Sequence, residues 1–180
     1  MNVLDLPLIR RTRQNHAVEH ATITLLMARN RALPLVGGRS NQRGYFVFGA
    51  VETAALEAAA AEALLRLQRG ETELAIHPNC GTNLVTTGVM AGLATFTATA
   101  IARRRQAGLA DRLAAAVLAA TVAVVASRPV GLRLQRDVTT LADVAGLRVQ
   151  SITRRQLGRM VVHFVALDET PLPPPFGPVS

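Results

Sequence analysis

Two apolar stretches in the middle of the chain restrict its fold more than any other feature. Thr82 to Ala102, TNLVTTGVMAGLATFTATAIA, contains no charged residue. A helix needs about 20 apolar residues to cross about 30 Å of hydrocarbon, and this run supplies them. The second stretch, Leu113 to Ser127, LAAAVLAATVAVVAS, is shorter and reaches a spanning length only if its helix continues past Arg128 and Pro129. The short polar connection RRRQAGLADR predicts an antiparallel helical hairpin. Arg103, Arg104 and Arg105 follow the first stretch, and Arg128, Arg133 and Arg136 follow the second. Basic flanks of this kind mark a membrane surface. A hairpin buried in a soluble oligomer gives a similar pattern; the charge-free spans and their arginine flanks favour the bilayer. Gly88, Ala91, Gly92 and Ala98 permit close helix packing in either setting, and a homo-oligomer is compatible with them.

The 180 residues suit one compact domain or a small domain with a membrane anchor. Hydrophobic residues make up 49% but aromatics only 3%, so the apolar content is mostly Ala, Leu and Val, a helix-rich composition. All the basic residues are Arg, and the net charge is +8. A nucleic-acid partner is not expected, because the aromatics are few and not interleaved with Arg, and no nucleic-acid-binding motif is visible. The expected partner is the lipid bilayer. One cysteine excludes an intrachain disulfide. The start, MNVLDLPLIRRTR, has no sustained apolar core ahead of a small-residue cleavage site, so no cleaved signal peptide is expected.

The fold class expected is α+β: an N-terminal domain of helix and short strands, the apolar hairpin, and a C-terminal β-hairpin. Residues 1–10 read as a short apolar leader, and Thr12 to Arg29 as a helix that Pro34 and Gly37-Gly38 end. Gly38 to Gly49 reads as a turn feeding a strand over Tyr45 to Phe48. Val51 to Arg69 is nearly pure helix former, closed by Gly70. Glu73 to Ile76 is expected as a second short strand. GLRLQRDVTTLADVAG after Pro129 reads as an amphipathic or irregular linker. Leu147 to Thr153 and Arg159 to Leu167 alternate as strands around RRQLG, with His163 a sheet residue. The tail PLPPPFGPVS is Pro-rich and expected to be disordered or polyproline-like. The segments are thus 1–81, 82–128, 129–168 and 169–180.

Two motifs carry chemistry. In His16-Ala17-Val18-Glu19-His20, positions i, i+3 and i+4 share one face of a helix. Two histidines so spaced can grip one metal ion, with Glu19 as base or further ligand. In His77-Pro78-Asn79-Cys80-Gly81-Thr82-Asn83, the H-x-x-C spacing suits a zinc knuckle with one Cys replaced by His. His and Cys are preferred zinc ligands. Of four His and one Cys in the chain, all but His163 fall in these motifs. The expected site is therefore His16, His20, His77 and Cys80 as ligands of zinc or another divalent metal, with Glu19 beside them. The plainer alternative is a polar helix interface and a small buried cysteine.

These motifs also carry a resemblance. HAVEHATI, HPNCGTNL, two apolar helices and a DVTT segment resemble a bacterial family of small membrane proteins described only as a domain of unknown function, over Arg11 to Leu167. The chain is more distantly similar to a bacterial membrane family with HGAEHK and H-x-R-C-G-T motifs, labelled as metal-dependent enzymes. His16, Glu19, His20, His77, Pro78, Cys80, Gly81 and Thr82 match the shared skeleton. Ala21 and Asn79 replace a Lys and an Arg of that second family, so no role of those basic residues carries over.

Three functions follow. In a metal-dependent membrane hydrolase, three protein ligands would hold the metal and Glu19 would act as general base. In a non-catalytic membrane scaffold, His16, His20, His77 and Cys80 would form a closed structural zinc site. A basic lipid- or nucleic-acid-binding module ranks last. The expected location is the cell membrane with the N-terminal domain cytoplasmic. The loop arginines argue the other way, but moving a folded metal domain across a membrane without a signal is the larger demand.

Overall fold

A computed structural model describes residues 2–30 and 36–169. The chain divides into two compact units, Met1–His77 with Val138–Ser180, and Pro78–Asp137.

The first unit is α+β. Helix α1 (Pro7–Arg29) is followed by strands β1 (Gly37–Asn41) and β2 (Gly44–Phe48), then helix α2 (Thr53–Gln68). Strands β3 (Leu147–Leu157) and β4 (Met160–Glu169) return to complete one antiparallel sheet in the order β1-β2-β4-β3. The C-terminal hairpin is therefore half of the sheet that the N-terminal strands begin. Register pairs Tyr45 with Val165 and Val47 with His163. Alternation sends Tyr45, Val47, His163 and Val165 into the core, where they are fully buried. Ala17, Val18 and Ala21 of α1 and Leu56, Ala59, Ala60 and Ala63 of α2 belong to the same core. Ala-rich helix faces allow this close packing without large side chains. Phe46 and Phe164 meet on the opposite face of the sheet, ring centroids 4.7 Å apart.

Four details depart from the sequence expectation. The leader is structured: Asn2 caps a 3-10 turn over Val3–Asp5, and α1 starts at Pro7, where a missing N–H costs nothing. Gly37-Gly38 open a strand, β1, which the expected turn concealed. Its sequence GGRSN has no branched or aromatic residue, and pairing with β2 holds it. Glu73 to Ile76 is not a strand: Thr72–Ala75 form a 3-10 turn, with Leu74 N–H bonded to Glu71 O and Ile76 N–H to Glu73 O. The expected linker is helical at its start. Pro34 and the Pro-rich tail beyond Glu169 lie outside the described residues.

The second unit is the apolar hairpin, α3 (Gly81–Arg104) and α4 (Leu109–Leu134), the latter continuing as a π-helical turn over Gln135–Thr139. Helix α4 runs through Pro129, so the second stretch does reach spanning length. Both helices are long and apolar enough to cross a membrane. Their large side chains, such as Leu84, Leu93, Phe96, Leu118 and Val125, are exposed, unlike those of a soluble core helix. The helices are joined internally by Thr87 and Ser127, whose hydroxyl oxygens are 2.7 Å apart. They approach closely at Gly131, where a Cβ would lie 2.3 Å from Asn83 Oδ1.

Candidate metal centre

Helix α1 presents the first motif. At 100° per residue, His16 and His20 stand about 40° apart around the axis and Glu19 about 60° to the other side of His16. The two imidazoles meet edge to face with centroids 4.3 Å apart. Glu19 is turned toward β1, where it accepts a hydrogen bond from the Ser40 hydroxyl.

Both histidines are oriented by backbone carbonyls. His20 Nδ1 lies 2.7 Å from Ala75 O, and His16 Nδ1 lies 2.9 Å from Thr139 O. A carbonyl only accepts, so Nδ1 carries the proton in each ring. The neutral tautomer then leaves Nε2 as a lone-pair donor. Metal-ligating histidines are held in this way, with the second nitrogen donating to a carbonyl or carboxylate. His20 is buried, and its Nε2 has no hydrogen-bond partner among the described residues. An orphaned buried polar atom costs about 1–3 kcal/mol, which a bound cation would offset. The 3-10 turn over Thr72–Ala75 thus has a role that a strand would not fill: it aims the Ala75 carbonyl at His20.

His77 follows that turn, its ring centroid 5.9 Å from that of His20. Burial, then the electrostatic influence of nearby His20, holds its pKa below the ordinary value, which favours the neutral, ligating form. Cys80 caps the N-terminus of α3, its sulfur 3.4 Å from the Thr82 N–H. His16, His20 and Cys80 form a His/His/Cys cluster, their donor atoms all within 4.8 Å of one another, that is able to bind a metal ion.

Glu19 is not one of those three donors. Burial raises its pKa, opposed by the Ser40 hydrogen bond and by the electrostatic influence of His16. Beside it Tyr45 and Thr22 share a buried hydroxyl contact of 2.8 Å. Burial, only partly offset by Thr22, also raises the tyrosine pKa, and the Glu19 charge adds to the rise. The carboxyl therefore lies in a buried polar layer between α1 and the sheet.

Sequence reasoning assigned no role to Ser40, Ala75 or Thr139. The DVTT segment carried the one available signal. It ends at Thr139 and Thr140; Thr140 O accepts from Arg13, and the Leu141 N–H bonds to Arg13 O. The segment is thereby anchored along α1 beside His16.

A family model described as a domain of unknown function, DUF6391, matches residues 11–152. An uncharacterized protein of Picosynechococcus sp. (strain PCC 7002) is 41% identical over 91 residues, covering 46% of this chain and 44% of that protein. The match thus spans less than half of the relative's length. No solved structure matches.

Proposed function

The chain belongs to the DUF6391 family, a domain of unknown function, and from the geometry of its site we propose that it is a membrane-attached, metal-dependent hydrolase. The observation that carries this reading is the buried Nε2 of His20, aimed by the Ala75 carbonyl and without a hydrogen-bond partner among the described residues. Nε2 of His16 and His20 and Sγ of Cys80 are the ligands. Zinc is the metal that this donor set favours. Three protein ligands leave a coordination position open, which a catalytic site needs. A bound divalent cation supplies Lewis acidity there. Glu19 is the proton acceptor for water: burial moves its pKa toward the working range of a general base, and the Ser40 hydroxyl fixes its orientation. The two apolar helices hold the protein in the bilayer, with the N-terminal domain on the cytoplasmic side.

The test is hydrolysis of ester, peptide and phosphoester panels by detergent-purified protein, beside Glu19→Gln. We expect Glu19→Gln to keep its metal and lose on the order of 10²- to 10⁴-fold in rate. Metal-loaded protein with no turnover above the Glu19→Gln background contradicts the reading.

One observation favours a second reading. The proximity of His77 to His20 offers a fourth ligand and a closed, structural zinc site. His77→Ala separates the two. Metal retained at full stoichiometry supports the open site, and metal lost supports the closed one.

A further inference from the structure

Asn83 ends the HPNCGTN motif, yet neither sequence reasoning nor the proposed chemistry uses it. Its carboxamide is engaged at both ends. Nδ2 donates to Pro78 O at 2.6 Å, and Oδ1 accepts from Gln135 Nε2 at 2.8 Å. Its backbone N–H closes back on Cys80 O at 2.9 Å. Gln135 is fully buried, and the glycine at 131 leaves room for the Asn83 carboxamide.

The consequence falls on Cys80. The turn from Pro78 to Cys80 is tied at its first carbonyl by Asn83 Nδ2 and at its last by Asn83 N–H. The other end of the carboxamide is fixed to the end of α4. An amide suits this place because it offers a donor and an acceptor in one rigid plane. A carboxylate of the same shape would lose the donation to Pro78, and an aliphatic side chain would lose both bonds.

We propose that Asn83 is a positioning residue for the Cys80 ligand, clamping the Pro78–Cys80 turn between its own helix and Gln135 so that the sulfur is held at the metal. This rests on the reading of Cys80 as a ligand. Removing a group that orients a ligand typically weakens metal binding on the order of 10- to 100-fold.

The experiment loads the full-length protein in detergent with Co(II) and records the thiolate-to-cobalt charge-transfer absorption together with the d–d bands. Cys80→Ser is the control for the underlying reading: if it keeps the charge-transfer absorption, Cys80 is no ligand and that reading fails. With the control satisfied, Asn83→Asp and Asn83→Ala are expected to lose most of the charge-transfer intensity. They should retain d–d absorption from the histidines and weaken cobalt binding at least tenfold, with an unchanged circular dichroism spectrum. Asn83→Asp is nearly isosteric; should neither variant fold, Gln135→Leu, which removes the bond at the far end, is read in the same way. Full charge-transfer intensity and wild-type cobalt affinity in a folded variant overturn the proposal.

Discussion

Gly38 lies against Glu19 so closely that a Cβ built on the glycine would stand 2.2 Å from the carboxylate Oε1 and 2.6 Å from Cδ. Strand β1 is therefore a lid on the Glu19 side chain, and Ser40, two residues on along the same strand, supplies the hydrogen bond. Gly38→Ala forces the carboxylate or the strand to move. An overpacked site of this kind costs about 1–3 kcal/mol. We expect a lower denaturant midpoint by circular dichroism, with metal content unchanged because Glu19 is outside the His16, His20 and Cys80 cluster. An unaltered midpoint would show that the carboxylate has room to move aside.

The hydrogen bond between Thr87 and Ser127 links two helices whose outer faces are apolar. Bonds of this kind between membrane helices average about 0.6 kcal/mol and reach about 1.7 kcal/mol. Thr87→Val should destabilise the hairpin by an amount in that range, and Ser127→Ala should add little in the Thr87→Val background. Full additivity in the double-mutant cycle would show that the pair does not interact.

Membrane insertion is tested at Val125, an exposed residue of α4. An arginine at the centre of a spanning helix costs about 2.5–3.5 kcal/mol on insertion scales. Val125→Arg should shift the protein out of the carbonate-resistant membrane fraction, and Val125→Leu should not. Equal fractionation of both variants would argue that α4 does not face lipid.

His163 gives a pH dependence. It is fully buried in β4, with Thr53 Oγ1 at 3.1 Å from Nε2, and burial followed by the charge of Arg154 lowers its pKa from the ordinary 6.5. The folded protein holds this proton less tightly than the unfolded chain does. Its contribution to stability is therefore complete above pH 6.5 and is lost as the pH falls through the lowered folded value. Denaturant unfolding at pH 7.5 and pH 5.5 should show a smaller acid-induced loss for His163→Gln than for the parent. Equal losses would exclude this histidine as the cause.

The parts legible in the sequence were those with a period or a composition. The 3.6-residue repeat placed His16 and His20 together, and the charge-free runs marked α3 and α4. Branched and aromatic residues marked β2, β3 and β4. Strand β1 was hidden because GGRSN has none of these, and its state is decided by pairing with β2. The 3-10 turn over Thr72–Ala75 was hidden because four residues carry too little pattern to separate a turn from a strand. The orienting groups of the two histidines were invisible for a deeper reason. Both are backbone carbonyls, at Ala75 and Thr139, and a carbonyl leaves no mark on residue type. The union of the N-terminal strands with the C-terminal hairpin in one sheet is likewise a long-range pairing, to which local alternation is blind.

On the proposed reading the two helix histidines hold a metal. Elemental analysis of protein purified without chelators, beside His20→Ala, tests it most directly. About one equivalent of zinc or another divalent metal is expected in the parent and little in the variant. Equal metal in both, or none in a folded parent that also fails to take up zinc on titration, would contradict it and leave His16 and His20 as packing residues of α1.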